Sequence, residues 1–283
     1  MTLIKAWLGV LFFKVASIHI YGDHSNWHCG SKAVIEYIKH IIKAEGHTLS
    51  SYKESDCVLI NGEGSIHDNC YDKIYAGAKS IIDGKEVHLI NSVWERNSGY
   101  QKNLIKCFNS VVVREICSFN NIKNIRPDAK VCIDLSYFHP VEMPKVTYEN
   151  YGWGGSFWKI PDAEKYIKNK YNAISVNIKE ENCWQKYLNK LSSCKMLYTG
   201  YHHAVIASCK LRIPFIALKG NTDKVLGIIK MSNANIPVAN NLKEFYSLID
   251  NPPPQKEYDK LFDFLASQKP FSLKNIGISK KNT

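Results

Sequence analysis

Arginine is scarce in this chain: only Arg96, Arg114, Arg126 and Arg212 stand among 37 basic residues. Nucleic-acid readers lean on Arg for bidentate contacts, and no basic run interleaved with aromatics occurs, so nucleic acid is not expected as a partner. C-x-x-C spacing is missing as well. The nine cysteines, Cys29, Cys57, Cys70, Cys107, Cys117, Cys132, Cys183, Cys194 and Cys209, are odd in number and irregularly spaced. That argues against a disulfide framework or a zinc site and fits a reducing, cytoplasmic compartment. No bilayer-spanning apolar run stands at the N-terminus. The stretch Ala6 to Phe13 is cut by Lys14 and lacks a small-residue cleavage pattern, so it reads as a first strand or packed helix rather than a signal peptide. Membrane contact through Trp7 and Phe12-Phe13 is its other reading. Internal repeats are also absent, and only the polar tail Ser279–Thr283 is expected to fray.

What is present is a globular composition, 45% hydrophobic and 22% charged over 283 residues, long enough for two ordinary domains. The formal charge of +11, carried mostly by scattered Lys, favours anionic partners: a phosphorylated small molecule, or peripheral contact with an anionic membrane.

Short apolar segments alternate with segments of helical spacing. Ser17–Tyr21, Cys57–Asn61, Val87–Asn91, Ser110–Val113 and Lys130–Ile133 read as strands, with helices at Ser31–Ala44, 72–82 and Lys102–Cys107 between them. Residues 138–165, with Tyr151-Gly152-Trp153-Gly154-Gly155, read as a linker or ordered loop at a domain junction. Beyond it, strands at Ala173–Val176, Lys195–Tyr198 and Phe215–Leu218 alternate with helices at Cys183–Leu191, 201–210 and Lys256–Ala266. Alternation of this kind predicts an α/β fold with parallel sheets covered on both faces, arranged as two Rossmann-like domains facing a cleft, 1–143 and 144–283. Ligands of such sheets bind at the carboxyl ends of the strands.

Polar clusters fall at those ends. Asn26, Trp27 and Lys32 link the first strand to its helix, where backbone N–H groups and the helix dipole suit a phosphate or carboxylate. An ordinary helix cap at Ser31 is the plain alternative. Asn61, Gly62, Glu63, Gly64, Ser65 and His67 follow the second strand; Glu63 and His67 are candidate acid/base or hydroxyl-binding groups between glycines that admit a ligand. Asn91 ends the third strand. Arg114 follows the fourth, as an anion contact or as half of a surface pair with Glu115. Gly200, Tyr201, His202 and His203 form a strand-to-helix turn. An imidazole at a helix start is disfavoured when charged and so stays neutral, able to donate or accept. Asn221 and Lys224 stand at a further polar turn.

Together these segments resemble the polysaccharide pyruvyl transferase family, from about residue 18 to about 230. The resemblance rests on Asn26-Trp27-x-Cys29, Asn61 to His67, Leu89 to Trp94, Val113-Arg114-Glu115-x-x-Ser118 and Asp134-Leu135-Ser136. It continues in Thr199-Gly200-x-x-His203-Ala204, Ile213 to Leu218 and Asn221-Thr222-x-Lys224. It implies a two-domain fold of the GT-B type, the first half on the acceptor side and the second on the donor side. The implied activity moves a pyruvyl group from phosphoenolpyruvate to two hydroxyls of a surface-polysaccharide or lipid-linked sugar. The implied roles are anion binding for Arg114 and Lys224, acid/base catalysis for His203, and acceptor contacts for Glu63 and His67, with no metal and no cofactor beyond the donor. One departure stands out. Members carry Arg where this chain has Tyr201, and a tyrosine supplies neither the charge nor the bidentate fork. A GT-B glycosyltransferase of lipopolysaccharide or capsule assembly, using a nucleotide-activated sugar, is therefore the second expectation. A non-catalytic binding protein on the same scaffold is the third. Either enzyme is expected in the cytoplasm, at the inner face of the membrane.

Overall fold

The computed structural model describes residues 13–157, 161–279 and 281–282. Most of the N-terminal apolar run and Trp158 lie outside the described residues. Six parallel strands form the first sheet: β1 (Ser17–Tyr21), β2 (Thr48–Leu49), β3 (Cys57–Glu63), β4 (Glu86–Ser92), β5 (Ser110–Val113) and β6 (Lys130–Val131). Their order is β2-β1-β3-β4-β5-β6. Five more parallel strands form the second: β7 (Asn150–Trp153), β8 (Ile174–Ser175), β9 (Cys194–Thr199), β10 (Phe215–Leu218) and β11 (Val238–Ala239). Their order is β8-β7-β9-β10-β11. Counted from its own first strand, the first sheet runs 2-1-3-4-5-6 and the second 2-1-3-4-5, both on a common doubly wound order.

Ten α-helices among the described residues cover these sheets: α1 (Cys29–Ala44), α2 (Asp72–Ile82), α3 (Gly99–Ile105), α4 (Ile116–Ile122), α5 (Pro161–Tyr171), α6 (Trp184–Leu191), α7 (His202–Lys210), α8 (Lys224–Met231), α9 (Leu242–Asp250) and α10 (Gln255–Ala266). None is long and apolar enough to cross a membrane.

The period of two along β3 shows why the layers form. All seven of its residues are buried; Cys57 and Leu59 join the core under α1, while Val58 and Ile60 join the core on the opposite face. On α1, Val34, Ile38, Ile41 and Ile42 fall on one stripe and pack on the first sheet. Cys29 and Ala33, nearer its start, pack instead with Leu197, Phe215 and helices of the second sheet. The helix thus locks the two sheets together at its N-terminal end.

Three expectations change. The helix over Ser31–Ala44 begins two residues earlier, because the His28 side chain, not Ser31, caps it by accepting from the Ser31 N–H at 3.2 Å. The stretch read as a junction contains β7, which pairs with β8 and β9 inside the second sheet. Its glycines are packing requirements: a Cβ on Gly152 would stand 2.5 Å from Val176 and 2.8 Å from the Cys194 sulfur. Residues Lys281–Asn282, expected to fray, pair antiparallel with Phe13–Lys14. Phe271, Leu273, Ile276 and Ile278, late in the chain, return to pack under α1 on the first sheet.

Candidate functional site

Both sheets change strand direction of growth beside their first strand, β1 against β3 and β7 against β9. A cavity of about 380 Å³ is lined by the end of β3 and by residues that follow β1, β3, β5, β7, β8, β9 and β10.

Glu63 ends β3 with a left-handed backbone, φ +43°, uncommon outside glycine. Its buried carboxylate accepts from His24 Nδ1 at 2.6 Å and from Ser31 Oγ at 3.3 Å. The exposed Trp27 ring stacks on His24, 3.7 Å between centroids and 6° from parallel. Burial pushes the Glu63 carboxyl up, but the His24 hydrogen bond and the charges of His203, His24 and Arg114 outweigh it and hold the group at about 2.

Arg114 follows β5 and is 1% exposed. Its guanidinium donates to Asp134 Oδ2 at 2.7 Å, while Glu115, also buried, turns away to cap α4 by accepting from the Cys117 and Ser118 N–H groups. The surface pair of the plain reading is therefore not formed. Asp134 Oδ1 accepts from the Ser136 hydroxyl at 2.6 Å. Burial opposes its charge, but His203, His202 and Arg114 hold its carboxyl well below the usual carboxylate range.

His202 and His203 open α7, as expected, and both are buried. His203 Nε2 lies 3.5 Å from Asp134 Oδ2 and 3.8 Å from Glu63 Oε1, without hydrogen-bond alignment to either. Burial lowers its pKa, with Arg114 and Lys224 acting in the same direction against the pull of the two carboxylates. His202 falls to about 3, by burial and then Arg114, and His28, edge-on to His203, likewise to about 3. These imidazoles are neutral at physiological pH. Glu63 Oε1, Arg114 Nε and His203 Nε2 are buried without a hydrogen-bond partner in the protein. Buried polar atoms are normally satisfied; these three lie at the cavity.

Lys224, the first residue of α8, donates to Asn221 Oδ1 at 2.6 Å. Burial first, and Arg114 second, bring its pKa down to about 7. Gly64 leaves the space between these cations open: a Cβ there would come within 3.1 Å of the Arg114 Nη2 and 3.3 Å of the Lys224 Nζ. A third cation, Lys179, stands over the Tyr201 ring at 5.2 Å. Three cations, two carboxylates and neutral imidazoles can hold an anion and move a proton beside it.

Of the residues singled out in the sequence, Trp27, Glu63, Gly64, Arg114, Gly200, Tyr201, His202, His203, Asn221 and Lys224 line this cavity. Asn26 and Lys32 do not; they line an adjoining groove of about 370 Å³ with Glu181 and Asn182. Asn61 and Asn91 lie beneath the floor, hydrogen-bonded to each other and to the Gly22 carbonyl and Leu135 N–H. Gly62 is pressed against Ser92, and its carbonyl accepts from Ser65 Oγ and from buried Lys73. His67 is outside the cavity wall and faces Asn221 and Asp68. His24, His28, Lys179 and Phe157 were given no role in the sequence, and Asp134 entered only as part of the motif Asp134-Leu135-Ser136. His28 and Phe157 sit in stretches already marked, His24 stands just ahead of the first of them, and Asp134 follows a strand; nothing near Lys179 in the sequence marks it.

Comparison with protein families and with characterised proteins finds no match. Among solved structures, the chain resembles a functionally uncharacterised protein of Klebsiella pneumoniae, with a TM-score of 0.54 and 14% identity, over 78% of this chain and 90% of that one. The likeness is one of fold: a mixed α/β chain with parallel sheets.

Proposed function

We propose that this chain is a transferase of the polysaccharide pyruvyl transferase type, moving a pyruvyl group from phosphoenolpyruvate to a sugar of a surface polysaccharide or lipid-linked glycan. In this proposal its halves, 1–143 and 144–283, act as acceptor-side and donor-side Rossmann-like domains in a GT-B-type arrangement. The observation that carries it is His203, a buried imidazole between Glu63 and Asp134, directly beside Arg114 and Lys224. Neutral His203 takes the proton of the first attacking hydroxyl as that oxygen bonds to C2 of the enol. The imidazolium, held by the two carboxylates, returns the proton to C3, which becomes a methyl group. A second sugar hydroxyl then displaces phosphate from C2, its proton passing through His203, neutral again, to the departing phosphate, and the ketal closes. Arg114 and Lys224 bind the donor's phosphate and carboxylate.

Lys179 offsets the loss of the family arginine. Tyr201 stands where the family carries Arg, and the Lys179 ammonium lies 5.2 Å over that ring, returning a positive charge to the same wall. The +11 charge suits work beside an anionic membrane on a lipid-carried acceptor.

Tyr201, Trp27 and Phe157 also line the cavity and favour a second reading, glycosyl transfer from a nucleotide sugar whose base stacks on an aromatic ring. Thermal melts with phosphoenolpyruvate, CMP, UDP, GDP and TDP at millimolar concentration separate the two. A ligand at a hundred times its dissociation constant stabilises by about 2.7 kcal/mol. A shift with phosphoenolpyruvate alone is expected; a shift with one nucleotide alone replaces the first reading by the second.

A further inference from the structure

His67 follows β3 on the rim of the cavity without lining it. It lies in a polar chain that crosses between the two sheets. Arg96 holds Asp68 through both carboxylate oxygens, and Asp68 Oδ2 lies 2.7 Å from His67 Nδ1. His67 Nε2 is 2.9 Å from Asn221 Nδ2, and Asn221 Oδ1 accepts from Lys224 at 2.6 Å. Arg96 also donates to the Asn221 carbonyl at 2.9 Å, and Glu95 accepts from the Asp223 N–H at 2.9 Å. Asp68, Asn69 and Arg96 all have left-handed backbones, φ +50°, +61° and +51°. Strain of that kind persists only where the surroundings fix it.

With Lys224 charged, the donor and acceptor inventory fixes the protons of this chain. An ammonium only donates, so the amide atom facing Lys224 is the oxygen. The amide nitrogen, also only a donor, therefore faces His67, whose Nε2 must accept. The ring proton is then on Nδ1 and points at the Asp68 carboxylate. We infer that His67 is a positioning residue for Lys224: held as the Nδ1–H tautomer by Asp68, it accepts the Asn221 amide and so turns the amide oxygen onto the lysine. The Nε2–H tautomer, or a doubly protonated ring, would present a donor to Asn221 and favour the flipped amide, with its NH₂ toward Lys224. The charged groups around the ring are Asp68, Arg96 and Glu95 from its own side and Asp223 and Lys224 from the facing loop. The role stands on this geometry alone and does not depend on which donor the cavity takes.

Competitive acetylation of the whole protein with acetic anhydride, read by mass spectrometry across pH, reports the titration midpoint of Lys224. The wild-type midpoint is expected at about 7, with Lys73, at about 8, as internal control. In His67→Leu the Asn221 oxygen is no longer held on the ammonium, and the Lys224 midpoint falls by about one pH unit. His67→Gln, whose amide oxygen can accept from Asn221, keeps the wild-type midpoint. Asp68→Ala frees the tautomer and lowers the Lys224 midpoint although Asp68 is exposed and touches neither Asn221 nor Lys224; this variant decides the matter if His67→Leu fails to fold. An unchanged Lys224 midpoint in Asp68→Ala, or a His67→Gln protein that behaves like His67→Leu, overturns the inference.

Discussion

Neutral His203 is a base that becomes an acid only after it has taken a proton, and its two carboxylate neighbours favour that intermediate charge. His203→Ala is therefore expected to lower phosphate release from phosphoenolpyruvate, measured with a sugar acceptor, by about 100-fold or more, while phosphoenolpyruvate still raises the melting temperature. Loss of both together would instead make His203 a binding residue. Lys179 and Tyr201 form the second residue-scale test. Lys179 is exposed at the mouth, so Lys179→Ala should weaken phosphoenolpyruvate binding only about 3- to 10-fold, roughly 0.7–1.4 kcal/mol. Adding Tyr201→Arg to that variant should restore the affinity, as read by calorimetry, because the charge returns to the same wall. A double variant as weak as the single one would show that the wall does not contact the anion.

Among elements, the close approaches are where substitutions read out most clearly. A Cβ on Gly30 in α1 would stand 2.6 Å from the His203 Cβ, and one on Gly227 in α8 would stand 1.8 Å from Glu115 Oε2. Gly30→Ala and Gly227→Ala should each destabilise the protein by about 1–3 kcal/mol in denaturant melts. Gly99→Ala, at the start of α3 with nothing within 4 Å, should be neutral or stabilising by up to about 1 kcal/mol. Part of the element set was marked in the sequence, while α4, α5, α9, β2 and β11 were not. Ser17–Tyr21, Ser110–Val113, Phe215–Leu218 and the helix over 72–82 coincide with the structure, because apolar runs and their breakers are local signals. β7 was not legible, since its glycines look like a linker until Val176 and Cys194 close on them. Local signals likewise exposed Glu63, Arg114, His203 and Lys224 at strand ends. They could not reveal Asp134 under Arg114 or Lys179 over Tyr201, which only long-range packing brings together.

In the whole molecule, two sheets of one strand order meet at their switch points without any sequence repeat to announce it, because strand pairing is non-local. Burying imidazoles, His28 and His202 at that junction and His88 in β4, has a cost at low pH. Burial, as the largest cause, lowers His28 and His202 to about 3 and His88 to about 4, all below the unfolded value of 6.5. The unfolded chain therefore takes up these protons first. The stability they contribute is complete above pH 6.5 and is lost as pH falls toward 4, at about 1.4 kcal/mol per pH unit for each group. Melting temperature should drop steeply between pH 6 and 4 and rise further from pH 7 to 8, where buried Lys224 and Lys73, at about 7 and about 8, shed protons that the unfolded chain keeps; a flat profile between 6 and 4 would mean that the histidines are charged in the fold. The most direct test of the junction as an anion-donor site is calorimetric titration of phosphoenolpyruvate at pH 7.5 in buffers of different ionisation enthalpy. Lys224, near 7 when free, should gain up to roughly three-quarters of a proton as the anion binds. The expected result is binding with proton uptake in the wild type, and weaker binding without uptake in Lys224→Met. No binding to the wild type, or equal binding and equal uptake in the variant, would contradict the assignment of the cavity.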